Sequence, residues 1–379
     1  MDGVFDYAVG ELIPGTPYRV TQHIAAGGMG AVFEVDDVGV GKQYALKTLH
    51  ASMAGDEKTE ERMREEARTL GRLTNPNIVQ VFTAGVTKDR LRLPFIVMER
   101  LVGSTLRGLL QQRGALDLRT TAVIALQLLG ALEDAHEFGL VHRDIKPDNV
   151  FLHRLRRGQR TTKLLDFGVA DLVSKANQDP TLFFGTFRYA SPEQLLSVPI
   201  AQTSDLYAVG LLVYEMLAGH HPFVAAKTRE QVVRAHVLEV PSIPKDWPET
   251  IRKLVGSTLE KSPAKRPKDA WTFASKLRSA VRDLSIDIET PLAEEIVFEN
   301  HAVDVHGNMR VSPVGAPKRK DPMNESQFAR LVVPTENDTE RDVTINPNSI
   351  EMLASGSAVI PVIEDSVFAT QLPTTHKLS

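Results

Sequence analysis

The chain has 379 residues, 42% of them hydrophobic and 24% charged, the balance of a soluble globular protein with room for two compact domains and further sequence. A net charge of -4 gives no overall basic surface, so neither nucleic acid nor an acidic membrane is the expected partner. The absence of cysteine excludes disulfides and cysteine-ligated metals and fits a reducing, cytoplasmic compartment.

Met1 to Gly10 carries Asp2 and Asp6 and lacks the basic and apolar regions of a secretory signal, so no cleavage is expected. Tyr18 to Leu49 then alternates apolar and polar positions around a glycine-rich turn, which predicts a hairpin followed by another strand. The turn and its flanks read Ile24-Ala25-Ala26-Gly27-Gly28-Met29-Gly30-Ala31-Val32-Phe33. Small residues there let backbone amides come close to phosphate oxygens, a contact that a Cβ would hinder, although plain tight turns share this composition. Lys47 follows on a strand, where its ammonium suits a phosphate as a point charge; a solvated strand lysine is the alternative.

From Asp56 to Leu73, Met63, Ala67 and Leu70 form one stripe at helical spacing, with charges on the opposite face. Leu93 to Leu101 reads as a buried strand. Thr120 to His136 places Val123, Ile124, Leu128, Leu129 and Leu132 at helical spacing and predicts a mostly buried helix. The apolar runs Thr121 to Leu132 and Ala208 to Leu217 are short and interrupted by Gln127 and Glu215, so no transmembrane segment is expected.

The chemistry concentrates in His142-Arg143-Asp144-Ile145-Lys146-Pro147-Asp148-Asn149. A carboxylate, an ammonium and an amide this close suit a reaction in which a hydroxyl loses a proton beside a phosphate and a metal ion. His153 to Lys163 carries five Arg and Lys, read as a solvated hairpin turn, with an acidic docking site as the other reading. Leu164-Leu165-Asp166-Phe167-Gly168 puts an acid at a strand end, where a carboxylate suits a hard cation. Further on come Gly185-Thr186-Phe187-Arg188-Tyr189-Ala190-Ser191-Pro192-Glu193, an apolar helix opened by Asp205, and Ser262-Pro263-Ala264-Lys265-Arg266-Pro267.

From about Tyr18 to about Leu284 these strings resemble the protein kinases. The Gly-Gly-Met-Gly loop and the eight-residue string are most similar to the eukaryotic-like serine/threonine kinases of bacteria. The resemblance implies an α+β, two-lobed fold: an N-lobe of antiparallel sheet plus helix C at about 18–100, and a larger, mainly helical C-lobe at about 101–284. It implies transfer of the γ-phosphoryl of ATP to Ser and Thr hydroxyls of protein substrates, the chain itself among them. Residues 1–17 are then an N-terminal extension, and 285–379 a low-complexity tail expected to be disordered.

Residue by residue, the resemblance makes Asp144 the base or orienting group for the substrate hydroxyl and Lys146 the neutraliser of the transferred phosphoryl. Asn149 and Asp166 would hold magnesium, with manganese as the alternative. Lys47 would touch the α- and β-phosphates and pair with Glu66, which stands in the family's register before Pro76; neighbouring Glu65 is the runner-up, since only one can face the strand. Ile24, Ala25, Ala26, Gly27, Gly28, Met29, Gly30 and Val32 would cover the nucleotide, with Ala25 departing from the family's first glycine. Met98 falls at the gatekeeper position, or is an ordinary core methionine, and Glu99 and Leu101 would offer backbone groups to adenine.

Arg143 would grip a phosphate on the activation segment, for which Thr181 and Ser174 are the candidates, an unmodified loop being equally open. Thr186 would contact the catalytic Asp and Lys. Glu193 would pair with Arg266 and Asp205 would brace the catalytic loop, all three structural. Many bacterial relatives carry a membrane span after the kinase domain, and this chain departs from that arrangement.

Two other classes compete. A pseudokinase scaffold would have lost Lys47, Asp144 or Asp166, and all three are present. A small-molecule kinase would lack the peptide-binding ledge that Thr186 and Ser191-Pro192-Glu193 imply. In the tail, Thr335-Glu336-Asn337-Asp338 and Thr339-Glu340-Arg341-Asp342 repeat a Thr-x-x-Asp spacing that, once phosphorylated, resembles ligands of a phosphothreonine-reading, forkhead-associated partner.

Overall fold

In the computed structural model, residues 7–27, 30–49, 67–90, 92–167 and 187–292 are described, together with the backbone at 332–333 and 341–342. Alternation builds the first lobe as expected. Strands β1 (Tyr18–Gly27), β2 (Gly30–Asp37), β3 (Lys42–Leu49), β4 (Val81–Val86) and β5 (Pro94–Glu99) form one antiparallel sheet in the order β1-β2-β3-β5-β4. Ala31, Phe33 and Val35 of β2 all face a core shared with Leu46, Leu93 and Val97. Of the helix predicted over 56–73, residues 67–70 are described as helical, with Leu70 buried against the main core.

The segment read as an N-terminal extension is part of this lobe from residue 7 onward. Ile13 is fully buried, and the Tyr7 hydroxyl donates to Asp89 Oδ2 at 2.5 Å. Backbone bonds from Ile13 N–H to Tyr18 O and from Lys88 N–H to Pro14 O strap it across the sheet edge. Two isolated apolar residues have no period, so sequence patterning passes over them.

The second lobe begins with β6 (Gly103–Thr105) and α1 (Leu106–Arg113), whose first turn is capped by the Thr105 hydroxyl accepting from Gly108 N–H. Helix α2 (Leu118–Glu137) is capped by Asp117, and eleven of its residues are buried, which makes it a core helix. Strands β7 (Val150–Arg154) and β8 (Arg160–Leu164) join β6 in a three-stranded sheet ordered β6-β7-β8. The short α3 (Pro192–Leu195) precedes α4 (Gln202–Ala218), in which every residue from Ser204 to Met216 is buried. α4 stops at Gly219, which has φ 74 and where a Cβ would lie 2.8 Å from Ala115 N. Helices α5 (Arg229–Leu238), α6 (Glu249–Thr258) and α7 (Ala270–Asp283) pack around it. Among the described residues, no helix is long and apolar enough to cross a membrane.

Two expectations need correction here. Of the five cations assigned to a solvated turn, Arg154, Arg156 and Arg157 are exposed, but Arg160 and Lys163 are buried on β8. Three residues apart on a strand, they point to opposite faces, and both faces of β8 are covered there, which overrides their charge. The tail also starts later than Ser285. Ile286 and Ile288 pack on the core, and Leu292, 1% exposed, accepts from Arg160 N–H and forms a bridge beside β8. Residues beyond 292 lie outside the described residues, except a two-strand ladder of β9 (Val332–Val333) and β10 (Arg341–Asp342).

Beneath α4 and α5, His221 and His236 are buried 5.8 Å apart against Phe223, and His236 Nδ1 lies 3.0 Å from the Tyr207 hydroxyl. Burial, reinforced by the Arg188 guanidinium, pushes His221 down to about 3; burial also holds His236 well below 6.5. Below its ordinary value the unfolded chain binds a proton at each histidine that the folded chain refuses, so stability falls as pH falls. We expect the unfolding free energy to drop by about 1.4 kcal/mol per pH unit per titrating histidine below about pH 6.5. Urea titrations across that range should show a shallower slope in His221→Gln.

Candidate functional site

The geometry of the site begins with a buried carboxylate on a neighbouring helix. Asp205, in the first turn of α4 and 1% exposed, accepts from His142 N–H at 2.8 Å, Arg143 N–H at 2.9 Å and the His136 ring at 2.8 Å. Arg143 has φ 67, a left-handed conformation that costs a non-glycine residue on the order of 1–2 kcal/mol. It is held there by Asp205 on one side and on the other by its carbonyl, which accepts from Gln194 Nε2 at 2.7 Å. His142 is fully buried, with Nε2 donating to Leu165 O at 2.7 Å and Nδ1 accepting from Asp144 N–H at 3.2 Å. One ring tautomer satisfies both bonds, and the ring meets Phe167 edge-on at 4.5 Å. The loop is thereby tied to the strand end that carries Asp166.

On this frame the polar groups converge. Asp144 Oδ2 accepts from Lys146 Nζ at 2.8 Å and Asn149 Nδ2 at 3.0 Å, and Asn149 Nδ2 also donates to Asp144 O at 2.8 Å. Asp144 Oδ1 is buried and has no hydrogen-bond partner among the described residues. A buried carboxylate oxygen left bare beside an ammonium is an acceptor waiting for a donor.

From the other lobe, Lys47 Nζ reaches Asp166 Oδ2 at 2.8 Å. Burial alone would raise the Asp166 carboxyl, but the adjacent Lys47 ammonium, together with Lys146 and His142, holds it below the ordinary carboxylate range. The strand register fixes the direction of Lys47, with Val32 opposite it on β2 and Ile96 opposite it on β5.

Within the glycine-rich turn, Gly30 has φ 141 and a Cβ there would lie 1.8 Å from Thr48 O, so sheet packing alone demands glycine. Ala25 pairs with Val32 just past a bulge at His23 and stays out of the left-handed region, which is why alanine is accommodated. Ile24, Ala26 and Gly27 complete β1; Gly28 and Met29 lie outside the described residues.

Between the lobes, Met98 is half-buried against the core, so its side chain is partly a packing residue. The expectation that Glu99 offers backbone groups needs narrowing, because its N–H already donates to Gln80 O at 2.9 Å and only its carbonyl is left for a ligand. Leu101 follows β5, half-buried. The Glu99 carboxylate has a task that no motif signals: Oε1 accepts from Gln80 N–H at 2.8 Å and from Lys163 Nζ at 2.5 Å, which latches the connection to β8.

Glu193 and Arg266 meet in a forked pair at 2.7 and 2.9 Å, both buried. The Arg266 guanidinium more than offsets the effect of burial on Glu193 and holds its carboxyl low. Glu65, Glu66, Ser174, Thr181, Thr186, Thr335 and Thr339 lie outside the described residues. Sequence reasoning also missed Arg107, which bonds Asp148, Glu215 and Tyr189. It lies in an unremarkable helix, and only the fold brings its partners together.

Among the described residues, no group of three or more His, Asp or Glu converges as metal ligands. Asn149 commits its amide nitrogen to Asp144, which leaves its oxygen as the donor end. Asp166 contributes carboxylate oxygen. Two hard oxygen donors suit magnesium, which commonly takes one or two protein ligands and fills its shell with phosphates and water.

The protein kinase domain family matches residues 18–277. The serine/threonine-protein kinase PknL of Mycobacterium tuberculosis is 34% identical over 314 residues, spanning 80% of this chain and 77% of PknL. The serine/threonine-protein kinase PknA of the same organism is 37% identical over 269 residues, spanning 70% of this chain and 61% of PknA. The crystal structure of the M. tuberculosis PknI kinase domain superposes with a TM-score of 0.58 at 26% identity, covering 73% of this chain and 100% of the solved one.

Because Asp205 satisfies two backbone N–H groups and a histidine, Asp205→Ala should strand all three. At about 1–3 kcal/mol per stranded group, we expect a loss of at least about 3 kcal/mol. Urea unfolding monitored by circular dichroism measures it.

Proposed function

The chain belongs to the protein kinase family and is an ATP-dependent serine/threonine protein kinase; we propose that the side chains gathered around Asp144 carry the transfer and that the chain also phosphorylates its own activation segment. The observation that carries this reading is the state of Asp144, with Oδ2 held by Lys146 and Asn149 and Oδ1 buried and bare. A substrate hydroxyl donating to Oδ1 would be oriented for attack and would pass its proton to Asp144 as the new bond to the γ-phosphorus forms and the bond from that phosphorus to the bridging oxygen breaks, releasing ADP. Lys146, already bonded to the same carboxylate, would offset charge on the phosphoryl group as it moves.

Lys47 would hold the α- and β-phosphates. The loop Ile24, Ala25, Ala26, Gly27, Gly28, Met29, Gly30 and Val32 would cover them, and the Glu99 carbonyl and the Leu101 backbone would take the adenine edge. Asn149 and Asp166 would hold magnesium, with manganese as the alternative. Bridging phosphate oxygens and offsetting their charge is the chemistry such an ion supplies. Glu66 would pair with Lys47 and so make activity depend on the position of its helix. Thr186 would touch the catalytic pair, and Arg143 would receive a phosphate placed on Thr181 or Ser174. The Thr335 and Thr339 motifs, once phosphorylated, would recruit a phosphothreonine-reading partner. We place the protein in the cytoplasm on its lack of cysteine and of any apolar run long enough to span a bilayer.

Two measurements test this. With radiolabelled ATP and a generic protein acceptor, Asp144→Asn should lose about 10²–10⁴-fold in turnover. Unchanged turnover would sink the assignment of the base. Mass spectrometry of the wild type after incubation with ATP should find phosphate on Thr181 or Ser174. A fully active enzyme with neither residue modified would remove them as regulatory sites.

A further inference from the structure

The roles above leave a cation beside the catalytic loop unused. Arg107 projects from α1 into groups carried by three other elements. Its Nε and Nη2 reach Asp148 Oδ2 at 3.4 and 3.3 Å, Nη1 reaches Glu215 Oε1 at 3.2 Å, and Nη2 donates to the Tyr189 hydroxyl at 2.9 Å. That hydroxyl donates in turn to Glu215 Oε2 at 2.5 Å. Asp148 comes from the turn Pro147–Asn149, Glu215 from α4, and Tyr189 from the turn Phe187–Tyr189 just ahead of α3. Each of the three guanidinium nitrogens thus meets an oxygen from elsewhere in the lobe.

Three properties distinguish this cluster from a buried strut. Two carboxylates and a phenol face a single cation, the composition of a receptor for an arginine or lysine side chain. The side chains of Arg107 and Asp148 keep 23% and 22% exposure, while Glu215 keeps 9%, so the cluster is closed at its base and open to solvent at its mouth. Asp148 is also the immediate neighbour of Asn149, which bonds Asp144. An extended peptide advances by about 3.3 Å per residue, so a chain delivering its hydroxyl to Asp144 passes Asp148 within a few residues of the acceptor.

We propose that Arg107 is a specificity-determining residue: it occupies, as a resident side chain, the place that a substrate arginine or lysine would take, and so makes the enzyme indifferent to basic residues flanking the acceptor hydroxyl. This rests on the kinase reading above and deepens it by naming the substrate class. With the resident cation removed, Asp148 and Glu215 become available, and a charge-assisted bond to a partly buried carboxylate favours a basic peptide by on the order of tenfold.

The test uses full-length wild type, Arg107→Met, Arg107→Gln and Arg107→Lys. The substrates are a peptide with one threonine and neutral flanks, and copies carrying arginine at each flanking position in turn. Wild type and Arg107→Lys should treat the arginine peptides within about threefold of the parent. Arg107→Met and Arg107→Gln should prefer arginine by about tenfold at one or two positions, through KM and not kcat, and Glu215→Gln added to Arg107→Met should erase the gain. Should Arg107→Met fail to fold, Arg107→Gln, which keeps a hydrogen-bond donor but no charge, carries the test. An unmoved ranking in the variants, a uniform loss across all peptides, or a wild type that already prefers arginine overturns the proposal. Turnover of the parent peptide by wild type checks phosphoryl transfer separately: without it the kinase reading itself fails, whereas intact turnover with an unmoved ranking removes only the role of Arg107.

Discussion

The structure depends on one buried carboxylate, Asp205, binding the amides of two successive residues in a loop remote from it in sequence. A loop has no ladder of its own, so its backbone groups need partners supplied from elsewhere if it is to hold a single shape. Asp205 is rigid because α4 is buried along almost its whole length. That rigidity passes through His142 and Arg143 to Asp144, and through the His142 bond to Leu165 O it reaches the strand end bearing Asp166. Left-handed backbone at Arg143 and again at Asp166 (φ 57) marks where the chain is bent away from its preferred geometry to aim side chains at one point.

Two ion pairs then link the lobes, and their positions differ in consequence. Lys47 to Asp166 joins β3 to the strand end of the second lobe that carries Asp166, so the relative alignment of these two side chains is set by contact between the lobes. Glu99 to Lys163 joins the connecting strand to β8, and the same carboxylate oxygen takes Gln80 N–H. Both pairs are largely shielded from solvent, so breaking either would leave a poorly hydrated charge. Among the described residues, the lobes are therefore registered by two separate ion pairs.

The forked Glu193 to Arg266 pair and the Arg107 cluster show how differently two buried arginines can be used. Arg266 is closed off, with 0% side-chain exposure and bonds to three backbone carbonyls, and it joins α3 to the segment before α7. Arg107 opens to solvent beside Asp148 of the loop that carries Asp144. Exposure, not charge, separates the strut from the residue able to shape recognition.

Much of this was legible in the amino-acid order. Alternation marked the sheet, helical spacing marked α2, an apolar run marked α4, and short strings singled out Lys47, Asp144, Asn149 and Asp166, because strands, helices and tight loops are written in local periodicity and residue type. What remained hidden rests on contacts between residues far apart. Lys163 and Arg160 read as solvated cations, Ile13 and Leu292 fell in segments read as loose ends, and Arg107 carried no signal at all, since a side chain's partners are set by where distant elements come to rest. Local order thus determined which groups could do chemistry, and tertiary packing alone decided which charges are buried, which oxygen of Asp144 stays bare among the described residues, and which arginine stays open to solvent beside Asp148.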